Sequence, residues 1–108
     1  MEKKILEGVP VSRGIVRGKI RIVTDVKHIQ QVEHGDIVVV HKSQPEYAVG
    51  VMRAGGVICE EGGRLAHICI VALEMGVPCI TRAMNAVELM KTRAEVILDA
   101  DKGVVYDV

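Results

Sequence analysis

Glu61-Gly62-Gly63-Arg64-Leu65-Ala66-His67-Ile68-Cys69-Ile70-Val71-Ala72-Leu73-Glu74-Met75-Gly76-Val77-Pro78-Cys79-Ile80 is the stretch whose reading decides the fold. From 68 to 75 only Glu74 is polar, so a helix here is expected to be apolar almost all round and buried. Gly76 is placed to cap that helix and Pro78 to stop it, with a short strand over 79–81 beyond. Ahead of the helix, Gly62 and Gly63 allow a tight turn and close approach of backbone to a ligand. The first turn of a helix leaves N–H groups unpartnered at the positive end of the macrodipole, which suits a phosphate. His67 stands at that mouth and is the candidate for chemistry. Taken alone, a histidine there is more often a solvent-exposed or hydrogen-bonded structural residue.

Outward from this stretch, short β-branched runs alternate with helix-like segments, and the breaks carry Gly or Pro. Val16, Ile20 and Ile22 alternate with Arg17, Lys19 and Arg21, the period of a half-buried strand over 14–24 interrupted at Gly18. A short helix or turn follows over 27–32. His34-Gly35-Asp36 opens a strand through Val40 whose unbroken apolar character fits burial on both faces. Pro45 suits the first turn of a helix to Arg53, closed by Ala54-Gly55-Gly56. A buried strand over 57–59 then leads to the diglycine. Toward the end a helix over 85–90 precedes a hairpin, 95–99 against 104–106, across Asp101-Lys102-Gly103. Strands and helices alternate in the middle while the two ends contribute strand pairs, which predicts an α/β domain with helices packed on a mixed sheet.

At 108 residues the chain reads as one domain, 1–108, too small for a nucleotide fold plus a substrate fold. Fourteen basic residues balance fourteen acidic ones, so no broad attraction to nucleic acid or anionic lipid is expected. With no Trp or Phe, and only Tyr47 and Tyr106, bases would find no stacking platform. No stretch approaches the roughly 18 apolar residues of a membrane span, and the start lacks a signal-peptide core. A cytoplasmic protein is the expectation. Cys59, Cys69 and Cys79 form no Cys-x-x-Cys pair and sit in apolar runs, as buried structural thiols do. His28, His34 and His41 lack metal-ligand spacing and read as surface or structural, so no metal site is expected. Adjacent residues on an extended segment point opposite ways, which makes Glu60 and Glu61 a solvated turn instead of a carboxylate pair. The methionines from Met75 to Met90 read as core filler.

The order of these features resembles the mobile, phosphohistidine-bearing domain of the phosphoenolpyruvate-utilising enzymes: phosphoenolpyruvate synthase, pyruvate phosphate dikinase and Enzyme I of the sugar phosphotransferase system. Gly62-Gly63, His67, Ile70-Val71-Ala72, Glu74 and Gly76-Val77-Pro78 keep the family's relative places. Gly14-x-x-x-Gly18, Gly35-Asp36-Ile37-Val38-Val39 and Gly103-Val104-Val105 extend the likeness over nearly the whole chain. The resemblance implies a swivelling β/β/α domain, with His67 phosphorylated in transit between two active sites. Gly62, Gly63 and Arg64 would bind the phosphate, although Arg64 is equally a solvated side chain.

By the same resemblance the chain is a phosphotransferase domain that is incomplete alone. Its partners are a phosphoenolpyruvate-binding barrel and an ATP-binding domain; it needs no cofactor itself, and magnesium belongs to those partners. The chain departs from the family pattern at Ala66, where a hydroxyl or thiol is usual, and at Leu65, Ile68 and Leu73, the last replacing an Arg. Those departures keep a second reading open, a non-catalytic regulatory or binding module that retains the fold.

Overall fold

The computed structural model describes residues 3–91 and 93–108. Eight strands form one sheet: β1 Lys4–Glu7, β2 Val9–Ser12, β3 Ile15–Val23, β4 Ile37–Val40, β5 Gly56–Cys59, β6 Cys79–Thr81, β7 Glu95–Asp99 and β8 Val104–Asp107. Their order is β1-β8-β7-β3-β4-β5-β6-β2. Strands β3, β4, β5 and β6 run parallel, and all other pairs are antiparallel. The helices are α1 Ala48–Val51, α2 His67–Met75 and α3 Ala86–Met90, with 3₁₀ turns at Val26–Gln31 and Pro45–Tyr47.

The alternation of side chains along a strand divides the interior in two. From β4, Val38 and Val40 face one way and join Val57, Cys59 and Cys79 beneath Val51, Ile68, Cys69 and Ala72 of α1 and α2. Ile37 and Val39 face the other way and meet Ile58, Ile80, Leu98, Val105 and Met90. This second core joins residues of β4–β6 to residues of β1, β7 and β8, so the antiparallel part of the sheet folds back over the parallel part. The result is a β/β/α stack, the mixed sheet with packed helices that the sequence predicts. Strand β3 serves both parts, since residues 15–19 pair with β7 and residues 20–23 with β4. Burial on both faces explains why Ile37–Val40 carries no polar residue.

Strands β1 and β2 follow one another through Gly8 yet form the two opposite edges of the sheet. The Gly8 amide donates to Gly103 O at 2.8 Å, next to the start of β8. The sequence pattern expects a strand pair at this end but gives neither β1 nor β2 its bounds, because Gly8, Pro10 and Gly14 read as breaks.

Three further expectations are corrected. Gly18 does not interrupt β3; the register runs straight through it, and a Cβ there would lie 2.6 Å from Gly35 O, which explains the glycine. Helix α2 is not buried all round. Ile68, Cys69 and Ala72 are enclosed, but Ile70, Leu73 and Met75 are exposed, Leu73 by 58%, because none of the described residues forms a further layer over α2. Among the methionines of 75–90, only Met90 is core; Met75 and Met84 face outward.

Candidate functional site

Three parallel strands end side by side, and the loops that leave them meet at their carboxyl ends, the usual place for a ligand crevice in such sheets. These loops span 41–44 after β4, 60–66 after β5 and 82–85 after β6. The middle loop turns at Gly62, whose φ of +113° is costly for any residue with a Cβ. Its carbonyl accepts from the Thr81 hydroxyl at 3.1 Å, which ties the turn to β6.

His67 is the first residue of α2 and is exposed. Ala66, just before it, is extended at φ −59°, ψ 143° and has no side chain able to cap the helix. The cap comes from another loop, where Ser43 Oγ accepts the Ile68 N–H at 2.9 Å. The amides of Gly62, Gly63, Arg64, Leu65 and His67 donate to no protein group among the described residues. His67, Ala66, Gly62, Glu61, Lys42, Ser43 and Pro45 line an open depression of about 350 Å³, large enough for a phosphoryl group.

The residues grouped from sequence are therefore divided by the structure. Gly62 shares the depression with His67, whereas Gly63 and Arg64 line a neighbouring hollow of about 330 Å³ with Val9, Thr81 and Arg82. Arg82 and Ser43 are absent from the sequence reading. Arg82 adopts φ +54°, a strained left-handed conformation for a non-glycine residue, and reaches Gly63 from across the loop. Neither Arg64 nor Arg82 forms an ion pair among the described residues. The signal that points to Ser43 and Arg82 is topological: loops that follow adjacent parallel strands must lie side by side.

Glu60 and Glu61 correct a further expectation. They do not diverge into solvent but converge on His41, Glu60 Oε2 at 2.8 Å from Nδ1 and Glu61 Oε2 at 3.3 Å from Nε2. The Glu60 side chain is only 16% exposed, and its other oxygen accepts the Val87 N–H at 3.0 Å at the start of α3. Lys42 adds a 3.9 Å contact to Glu61. The donor atoms of His41, Glu60 and Glu61 lie within 4.8 Å of one another, a set able in principle to hold a cation. Here each ring nitrogen of His41 already faces a carboxylate, and the cluster braces the loops after β4 and β5.

Fold and site together define a β/β/α domain that presents one histidine on the turn between a parallel strand and a half-buried helix. Residues 32–103 match the family described as PEP-utilising enzyme, mobile domain, and the chain belongs to that family. Over 102 residues it is 35% identical to phosphoenolpyruvate synthase of Pyrococcus furiosus, covering 94% of this chain and 12% of that protein. Over 105 residues it is 35% identical to the probable phosphoenolpyruvate synthase of Archaeoglobus fulgidus, covering 97% and 14%. The chain thus spans about an eighth to a seventh of those relatives.

Among solved structures, Enzyme I (nEIt) aligns with TM-score 0.59 and 23% identity over 71% of this chain and 32% of that one. Aconitase X of Thermococcus kodakaraensis aligns with TM-score 0.70 and 15% identity over 98% of both chains. These two likenesses speak for the fold alone. No helix among the described residues is long and apolar enough to cross a membrane.

Proposed function

We propose that this domain carries a phosphoryl group on His67 between the active sites of a phosphoenolpyruvate-dependent phosphotransferase. One observation carries the reading: an exposed imidazole heads a capped helix and shares an open depression with Lys42, Ser43 and the Gly62 turn, whose amides are unclaimed. A neutral imidazole nitrogen is a competent nucleophile near neutral pH. Phosphoryl transfer asks mainly for positioning and stabilisation of charge on the phosphoryl oxygens. Lys42, Gly62 and His67 line the same depression, so the Lys42 ammonium and the free amides of Gly62 and His67 are the donors offered to those oxygens. Arg64 and Arg82 place two further cations on the other side of Gly63. The hydroxyl that Ala66 lacks is supplied from Ser43, so the helix start is built without it.

In this reading the rest of the reaction belongs to a phosphoenolpyruvate-binding barrel and an ATP-binding domain, with magnesium held there, in the cytoplasm. The direct test incubates the chain with such a barrel partner, magnesium and labelled phosphoenolpyruvate. An acid-labile, base-stable label is expected on the native chain and none on His67→Ala. A native chain that stays unlabelled beside an active partner refutes the reading.

Exposed Leu73 favours a second reading, a docking module without turnover, since it puts an apolar surface one helix face from His67. Labelling that appears only after Ala66→Ser and Leu73→Arg together would select that alternative.

A further inference from the structure

The hollow of about 330 Å³ lined by Val9, Gly63, Arg64, Thr81 and Arg82 shares no lining residue with the His67 depression. Its frame is firm. Val9 of β2 pairs with Thr81 of β6, and the Thr81 hydroxyl donates to Gly62 O at 3.1 Å, which fixes the loop against both strands.

The charge in this hollow is all of one sign. Arg64 and Arg82 border it, no carboxylate does, and neither guanidinium forms an ion pair among the described residues. Two like charges brought to one hollow repel, and an anion between them relieves that repulsion. The neighbouring carboxylates show why Arg82 stays free. Glu60 and Glu61 border an adjoining hollow with Arg82, but both are drawn to His41, at 2.8 and 3.3 Å, and Lys42 stands 3.9 Å from Glu61.

The backbone aims the second guanidinium. Arg82 is held in the left-handed region at φ +54°, and its Nη2 lies 3.9 Å from the point that a Cβ on Gly63 would occupy. The amides of Gly63 and Arg64, in the same wall, donate to no protein group among the described residues. Arginine forks and backbone N–H groups are the donors that oxyanions take.

We propose that Arg64, Arg82 and the amides of Gly63 and Arg64 form a second anion site, separate from His67, for a phosphate-class oxyanion. A carboxylate has two oxygens and one charge, whereas a phosphate dianion has more oxygens, arranged tetrahedrally, and can face two guanidiniums and the backbone donors together. The site recognises that group whether it is free phosphate or the end of a phosphate ester. No covalent step is involved, so the site does not depend on phosphoryl transfer through His67.

The experiment follows backbone amide resonances by NMR while the native chain is titrated, at low and constant ionic strength, with inorganic phosphate, glycerol phosphate or acetate. Expected are saturable shifts at Gly63, Arg64 and Arg82 with both phosphates and none with acetate. Tighter binding of glycerol phosphate assigns an ester, tighter binding of inorganic phosphate a free ion, and either supports the site. His67→Ala should keep the binding. Arg82→Gly, which suits the left-handed backbone and so preserves the fold, should weaken it at least about tenfold, as loss of a charge-assisted hydrogen bond does; Arg64→Ala should do the same. Absence of saturation, equal binding of acetate, binding undiminished by Arg82→Gly, or shifts confined to Lys42, Ser43 and His67 and lost in His67→Ala would each overturn the proposal. An unlabelled His67 beside intact phosphate binding counts against the carrier reading alone, and labelling without this binding counts against the second site alone.

Discussion

The parallel and antiparallel parts of the sheet are built from different sequences for different ends. In β4, β5 and β6 every residue is buried, and the loops beyond their carboxyl ends hold all the candidate functional groups. In β3 the exposed residues 15, 17 and 19 alternate with partly buried ones, and β7 and β8 likewise show water one face. One part is a rigid platform for chemistry, and the other is a cover that seals the platform's second face. A substitution in the first should disturb both stability and site; one on the outer face of the second should disturb neither.

The largest effect separates chemistry from scaffold. His67→Ala should abolish phosphoryl labelling while leaving the circular dichroism spectrum and thermal midpoint unchanged, since the side chain is exposed. Retained labelling would break the link between platform and function. Next comes Ile58→Ala in β5, where a fully buried side chain touches residues of both parts. It should lower stability by about 3 kcal/mol in urea titration. Ile15→Ala at the outer face of β3, 63% exposed, should change it by less than about 0.5 kcal/mol. Comparable losses at the two positions would erase the contrast.

Smaller effects sharpen it within the platform. Ser43→Ala removes the only side-chain cap of α2 among the described residues and should cost about 1 kcal/mol, with a faster amide exchange at Ile68. Arg82→Gly should move the other way. Relief of the left-handed strain at φ +54° should add about 1 kcal/mol of stability, while labelling slows if the guanidinium assists transfer. A variant both more stable and equally active would remove Arg82 from the site.

The platform was the more legible part because its signals are local. Ile37–Val40 announces two-sided burial by its composition, and Gly76 with Pro78 marks the end of α2. His67 is legible for the same reason, as it stands at a strand-to-helix turn made by Gly62. What escapes is non-local. The partners of β1 and β2 lie in β8 and β6, near the far end of the chain, so nothing near Pro10 identifies an edge strand. Ser43 acts across a gap of 25 residues, and Glu60 meets His41 across 19. An apolar run can state that α2 seeks cover but not that cover exists for only one side, and so the sequence places Leu73 inside.

The seam at Gly8 has a bearing on how other proteins can approach. Both margins of the sheet are four-residue strands; one contains a proline that offers no N–H, and the other is preceded by Lys3 and begins at Lys4. Short, charged or proline-bearing margins are poor templates for an incoming β-strand. A visiting protein therefore gains little by extending this backbone and must instead grip the side chains of the loops and the outer face of α2, the surface on which His67 lies.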